Sequence, residues 1–263
     1  MFGNRCSIIG ALHVLPLPGS AGYSGSIDAI IEAALADAQR YKDGGVDAII
    51  VENMHDVPYL KGFVHPETTA AMAVLARAVK EESKLPLGIQ LLAAANLEAL
   101  GAAVASGADF IRVEGFVYAH VADEGIHESC AATLVRKRAE LRAERVKIFA
   151  DIKKKHSAHA ITADVSLVDT AHDAEFFRAD GVIVTGQSTG HAPASDEVRS
   201  VKESVHCSVL VGSGVDESNV IDFARHADAL VVGTSLKVDG RWQNQVDVDR
   251  VKRLIHALQS PAR

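Results

Sequence analysis

The chain has 263 residues, with 27 Lys and Arg against 34 Asp and Glu, for a formal net charge of -7. Apolar residues make up 48% and charged residues 23%, which excludes a disordered or collagen-like chain. The acidic balance argues against a nucleic-acid carrier, whose footprint is a basic face. No apolar run reaches the roughly 20 residues of a bilayer span, and the N-terminal stretch lacks the layout of a signal peptide. Cys6, Cys130 and Cys207 are far apart with no C-x-x-C, which fits a reducing cytoplasm and gives no zinc signature.

Short runs rich in Ile and Val alternate with helical patterns. The runs are SIIGALHV (7–14), DAIIVEN (47–53), LPLGIQLL (85–92), ADFIRVEG (108–115), VKIFADI (146–152), ADGVIVTG (179–186), SVLVGSG (208–214) and ADALVVGT (227–234). Each is bounded by Gly, Asp or Pro and reads as a strand. After the first, Ile30, Ile31, Ala34, Leu35, Ala38 and Tyr41 recur at helical spacing behind a Ser26 cap, and Gly44-Gly45 stops the helix. Met72, Leu75, Ala76 and Val79 repeat the pattern after the second strand, and Val248, Val251, Leu254, Ile255 and Leu258 form the last helix. Near-continuous apolar strands imply burial on both faces, hence a parallel sheet. Eight strand–helix units close most simply into an α/β (β/α)8 TIM barrel forming one domain over 1–263, with an open doubly wound sheet as the alternative. The phrase GGVDAII recurs as SGADFIR, RADGVIV and HADALVV, an architectural repeat in which Gly ends a helix and Asp or Ala opens a strand.

In such a barrel the C-terminal strand ends carry the active site. Glu52, Asp151 and Glu114 are candidate acid/base groups, and His13 a proton relay or ligand. Strand alternation through DIKKK puts Asp151, Lys153 and Lys155 on one face, and Lys153 is the expected inward lysine, as an amine nucleophile or an anion partner. Asn53, Gln90, Arg112, Thr185 and Gly186 are candidate substrate contacts. Gly212-Ser213-Gly214 and Gly233-Thr234-Ser235 follow the last two strands, where backbone N–H groups approach a phosphate. No cofactor is assigned. The alternative is a divalent metal ion on His13, Glu52, Asp151 and His156. The segment 117–129, with His120, Asp123, Glu124 and His127, is long enough for a lid. TGQSTGHAP (185–193) is a second loop rich in Gly and Thr.

At these residues the sequence resembles the BtpA/SgcQ family over nearly its whole length. The matching phrases are IGALHVLPLPG, DAQRYKDGGVDAIIVENMHDVPY, GADFIRVEGFVYAHVADEGI, DIKKKHSAHAI, VTGQSTG, VLVGSGVDESNV and VVGTSLKVDG. GIQLL and FADIKKKHS are closer to the SgcQ branch. Other members read NVLRND where this chain has QLLAAAN (90–96), which removes an Arg and an Asp from the third-strand mouth. The resemblance implies an aldolase-type, ribulose-phosphate-binding-like barrel. The family name comes from photosystem I biogenesis, and the SgcQ name implies an association with carbohydrate metabolism.

The expected function is that of an isomerase, epimerase or aldol-type lyase on a small phosphorylated sugar or sugar-like metabolite. The alternatives are a metal-dependent nucleoside or glycoside hydrolase, and a non-catalytic assembly or regulatory factor that keeps a ligand pocket. A cytoplasmic homo-oligomer with a small-molecule ligand, no nucleic acid and no membrane span is expected.

Overall fold

Each Ile- and Val-rich run forms a strand, and the eight strands close on themselves. The computed structural model describes residues 5–186 and 192–259. The barrel strands are β1 (Ser7–His13), β2 (Ala48–Glu52), β3 (Leu87–Gln90), β4 (Phe110–Val113), β5 (Lys147–Ile152), β6 (Gly181–Val184), β7 (Ser208–Val211) and β8 (Ala229–Val232). Neighbours in sequence are neighbours in the sheet, all pairs are parallel, and β8 pairs with β1 to complete a closed barrel. This is the (β/α)8 architecture, and the open sheet is excluded.

The outer helices are α1 (Ile27–Gly44), α2 (Pro66–Ser83), α3 (Asn96–Ser106), α4 (Ala131–Glu140), α5 (Leu167–Phe176), α6 (Ser195–Ser204), α7 (Val220–Ala224) and α8 (Val248–Gln259). α1 begins where the sequence places it. Ser26 Oγ accepts the Ala29 N–H at 3.2 Å, worth about 1 kcal/mol, and Gly45 closes the helix in the left-handed region at φ 88°. Among the described residues no helix is long and apolar enough to cross a membrane.

Two apolar layers result. The larger lies between strands and helices and includes Ile8, Leu12, Tyr41, Ile49, Leu75 and Val211. The smaller fills the barrel interior with Ile9, Ala11, Ile50, Phe110, Phe149, Ile183, Leu210 and Val231. Phe110 and Phe149 meet at 5.3 Å and plug the middle. Gly88 makes room for them, because a Cβ there would come within 2.6 Å of Phe110 Cδ2.

The repeated Asp has a physical role. Asp47, Asp109, Asp180 and Asp228 each open an even-numbered strand. Each carboxylate accepts an N–H from the preceding odd strand: Ile8 at 2.8 Å, Leu87 at 2.8 Å, Ile148 at 3.0 Å and Val209 at 2.8 Å. Each Asp N–H donates back to the carbonyl of that same residue. A cation completes each staple: Arg5, Lys80, Arg138 and Lys202 in turn. The four staples lie at the N-terminal end of the barrel, opposite the mouth.

The segment 117–129 is not a plain loop. His120–Ala122 and Gly125–His127 form a hairpin, and Ser157–Ala158 from beyond β5 adds a third antiparallel strand. The lid expected from sequence is therefore tied to the β5 loop. The centre of TGQSTGHAP, 187–191, lies outside the described residues.

Candidate functional site

Alternation along each strand points one side chain per strand into the top of the barrel. Beyond Ile9 and Ala11 comes His13, beyond Ile50 comes Glu52, beyond Phe110 comes Arg112, and beyond Phe149 comes Asp151. His13, Glu52 and Gln90 stand side by side in register. The floor is apolar and the layer above it is charged.

A cavity of about 240 Å³ opens on this layer. His13, Glu52, Arg112 and Lys155 line one side, and Gly212-Ser213-Gly214 and Gly233-Thr234-Ser235 line the other. The two sides are close. A Cβ on Gly212 would lie 2.5 Å from Ile183 Cγ2 and 3.1 Å from Arg112 Nη2, and one on Gly233 would lie 3.1 Å from His13 Nε2. A side chain at position 212 would collide with Ile183, and one at either position would press on the guanidinium or the imidazole by a few tenths of an ångström. The loops are also joined to each other and to the β6 end. Ser235 Oγ donates to the Val215 carbonyl at 2.7 Å, and the Gly186 N–H donates to Ser213 Oγ at 3.1 Å.

Arg112 organises the charges. Its Nε lies 3.2 and 3.1 Å from the two Asp151 carboxylate oxygens, and its Nη1 lies 3.4 Å from Glu52 Oε1. Burial pushes both carboxyls above the usual carboxylate range, with Arg112 opposing the shift. Glu114 is engaged elsewhere: Oε1 pairs with Lys154 Nζ at 3.3 Å and Oε2 accepts the Ala94 N–H at 3.0 Å.

His13 is held by one bond. Its Nδ1 lies 2.8 Å from the Trp242 carbonyl, which can only accept, so Nδ1 carries the proton. Nε2 is left with its lone pair, 3.9 Å from Glu52 Oε2. Burial, and then the Lys237 ammonium, push the imidazole well below its ordinary pKa, so the ring is neutral. The Trp242 ring lies 4.9 Å from that of His55.

Several sequence expectations change. Lys153 does not face the cavity. β5 ends at Ile152, Lys153 turns to φ 45°, and its Nζ donates to the Thr162 carbonyl at 3.1 Å. Lys155, which the alternation places on the same face, is the lysine that lines the cavity. Asn53 is a clamp between loops and not a substrate contact: it is fully buried, its Nδ2 donates to Asp56 Oδ2 at 2.9 Å and its Oδ1 accepts the Leu92 N–H at 2.7 Å. Asp151 sits behind Arg112, and Gln90 is buried beside Glu52; neither they nor Glu114 line this cavity. Thr185 and Gly186 line a neighbouring hollow, where Thr185 Oγ1 accepts the Lys155 N–H at 3.1 Å. The metal set does not converge. Arg112 stands between Glu52 and Asp151, His156 is exposed, and no three His, Cys, Asp or Glu side chains among the described residues are arranged to hold a metal.

Strand alternation names Lys155 but does not prefer it over Lys153. Lys237 carries little sequence signal. Lys237 is wholly buried, 3.7 Å from Asp37 Oδ2 and over the Tyr41 ring, and burial pushes it down to about 8.

Comparison with solved structures finds barrels of the same fold. Orotidine 5'-phosphate decarboxylase from Pyrococcus horikoshii superposes with a TM-score of 0.61 at 16% identity, covering 96% of this chain and 99% of that one. The geranylgeranylglyceryl phosphate synthase of Thermoplasma acidophilum, in complex with sn-glycerol-1-phosphate, gives 0.60 at 16% identity, covering 97% and 94%. Sequence relatives include an uncharacterized mitochondrial protein of Caenorhabditis elegans, 45% identical over 96% of this chain and 92% of its own. The photosystem I biogenesis protein BtpA of Synechocystis is 35% identical over 98% of this chain and 89% of its own. With these relatives, and with a match to the family's sequence pattern across residues 4–260, the chain belongs to the BtpA family.

Proposed function

We propose that the protein is an enzyme that binds a small phosphorylated, sugar-like metabolite and carries out proton-transfer chemistry on it, in the class of isomerases, epimerases or aldol-type lyases. One observation carries the proposal. A single cavity joins two glycine loops, suited to an anion, to a buried Glu52, a neutral His13, the Arg112 guanidinium and the Lys155 amine. The glycine loops would hold the phosphate. The raised carboxyl of Glu52 would exchange a proton with substrate carbon, and His13 Nε2 would accept or return one at oxygen. Arg112 would stabilise an enediolate, and Lys155 would supply an amine at the reacting carbon. Asp151 would orient Arg112. The mouth is open and not filled by side chains, which favours an enzyme over a scaffold. Placement on the SgcQ branch, and with it sugar metabolism, rests on the GIQLL and FADIKKKHS phrases.

The test is a thermal-shift titration with inorganic phosphate and with phosphosugars, on the wild type and on Glu52→Gln. Ligand at 100 times its dissociation constant adds about 2.7 kcal/mol. At about 2–4 °C per kcal/mol for a chain of this size, that is roughly 5–10 °C. Both proteins are expected to show the rise, and only the wild type to turn over substrate. Absence of any rise with phosphate or phosphosugar overturns the phosphate assignment.

A further inference from the structure

We propose that Lys155 is a covalent catalyst that forms an imine with the carbonyl group of a short phosphorylated aldehyde or ketone. The inference rests on the phosphate reading above and narrows its substrate to a carbonyl compound.

The geometry is specific to this lysine. Lys155 lines the cavity together with Glu52, His13 and both glycine loops. Its backbone is pinned on both sides: residues 153 and 156 have φ of 45° and 55°, and its own N–H is held by Thr185 Oγ1 at 3.1 Å. The carboxylates that would otherwise neutralise it are engaged by other cations, Glu52 and Asp151 by Arg112 and Glu114 by Lys154. Lys155 has no ion pair among the described residues. An amine in a desolvated site next to a guanidinium loses its proton readily, the usual way an imine-forming lysine is activated. Burial first, and then Arg112, lower its pKa accordingly. Lys153 is tied to a carbonyl outside the mouth, Lys154 is ion-paired and Lys237 does not line the cavity. The cavity's volume of about 240 Å³ lies at the small end of ligand pockets and suits a short-chain substrate.

The chemistry balances with the groups present. The neutral Nζ attacks the carbonyl carbon, and the C=O electron pair moves to oxygen. One proton passes from nitrogen to that oxygen. A second, drawn from solvent and delivered through the Glu52 carboxyl, releases it as water and leaves a C=N bond protonated on nitrogen. The iminium then withdraws electrons from the adjacent carbon, so Glu52, now a carboxylate, can remove a proton there or a C–C bond can break.

The test is reductive trapping on the full chain. The protein is incubated separately with glycolaldehyde phosphate, dihydroxyacetone phosphate and pyruvate, each with and without sodium borohydride, and analysed by intact and peptide mass spectrometry. The expected result is a borohydride-dependent gain equal to the mass of one phosphorylated carbonyl compound less one oxygen, located at Lys155. Inorganic phosphate should suppress it, Lys155→Arg should abolish it and Lys153→Met should retain it. Phosphate-induced stabilisation of Lys155→Arg shows that this variant is folded. No adduct, or an adduct on another lysine, in a protein still stabilised by phosphate overturns the imine and leaves the phosphate reading standing. No adduct and no stabilisation overturns both.

Discussion

Replacing Arg112 by Met tests whether the mouth is held together by charge. The side chains of Arg112, Glu52 and Asp151 are 6%, 6% and 2% exposed, so solvent screening gives little relief. Removing the cation leaves two buried carboxyls without compensation, a loss of about 3–5 kcal/mol for a broken buried pair. At about 2–4 °C per kcal/mol the melting temperature should fall by roughly 6–20 °C at neutral pH. The loss has a pH signature. In the wild type the folded-state pKa values of Glu52 and Asp151 are already raised, so the folded protein holds more protons than the unfolded one. Its stability therefore falls as pH rises from the ordinary carboxylate value, about 4, through the folded values. Without Arg112 those values rise further and the fall continues to higher pH. Differential scanning calorimetry from pH 5 to 8 should show the deficit smallest at the acid end. Arg112→Lys should recover part of the loss, because it restores the charge without the fork that Asp151 accepts. A deficit that is the same at both ends of the range, or absent at neutral pH, would refute the argument.

Three further outcomes are expected. Gly212→Ala pushes a methyl group to 2.5 Å from Ile183 Cγ2 and towards Arg112, costing about 1–3 kcal/mol, and it should weaken phosphate binding; an unchanged phosphate titration would remove this loop from the anion site. Asp109→Ala strips an acceptor from the Leu87 N–H and a partner from Lys80, and should lose about 1–3 kcal/mol in urea unfolding while phosphate-induced stabilisation persists. Lys237 has a folded-state pKa of about 8 against 10.5, so the folded protein holds fewer protons and stability should rise between those values; Lys237→Met should lack that component, and identical urea midpoints across the range in the two proteins would contradict it.

The barrel was legible because its strands are short, apolar and punctuated by Gly and Asp, and because parity carries from Ile9 through Ala11 to His13 without interruption. Alternation names Lys153 and Lys155 together, and it cannot tell them apart past the end of β5: the left-handed turn at Lys153 carries its side chain away, and Lys155 is the lysine that lines the cavity. Asn53 misled for a different reason. Its position at the mouth is as expected, but its amide is consumed by Asp56 and Leu92, and Leu92 belongs to a loop 39 residues away. The small antiparallel sheet above the mouth has strands of two or three residues from distant segments, too short to leave a periodic signal. Lys237 looks like any surface lysine in the sequence. Only the packing of the short 3-10 turns after β8, Thr234–Leu236 and Val238–Gly240, against α1 buries it beside Asp37 and Tyr41.

The Asp staples divide the barrel into quarters, β1–β2, β3–β4, β5–β6 and β7–β8, each with its helix between the two strands. The last quarter contains both glycine loops, whereas His13 and Glu52 belong to the first and Arg112 to the second. The two glycine loops thus lie on one contiguous stretch of chain, locked at the far end by Asp228 and Lys202. A change confined to that quarter therefore alters both glycine loops together, while His13, Glu52 and Arg112 stay on strands held by their own staples.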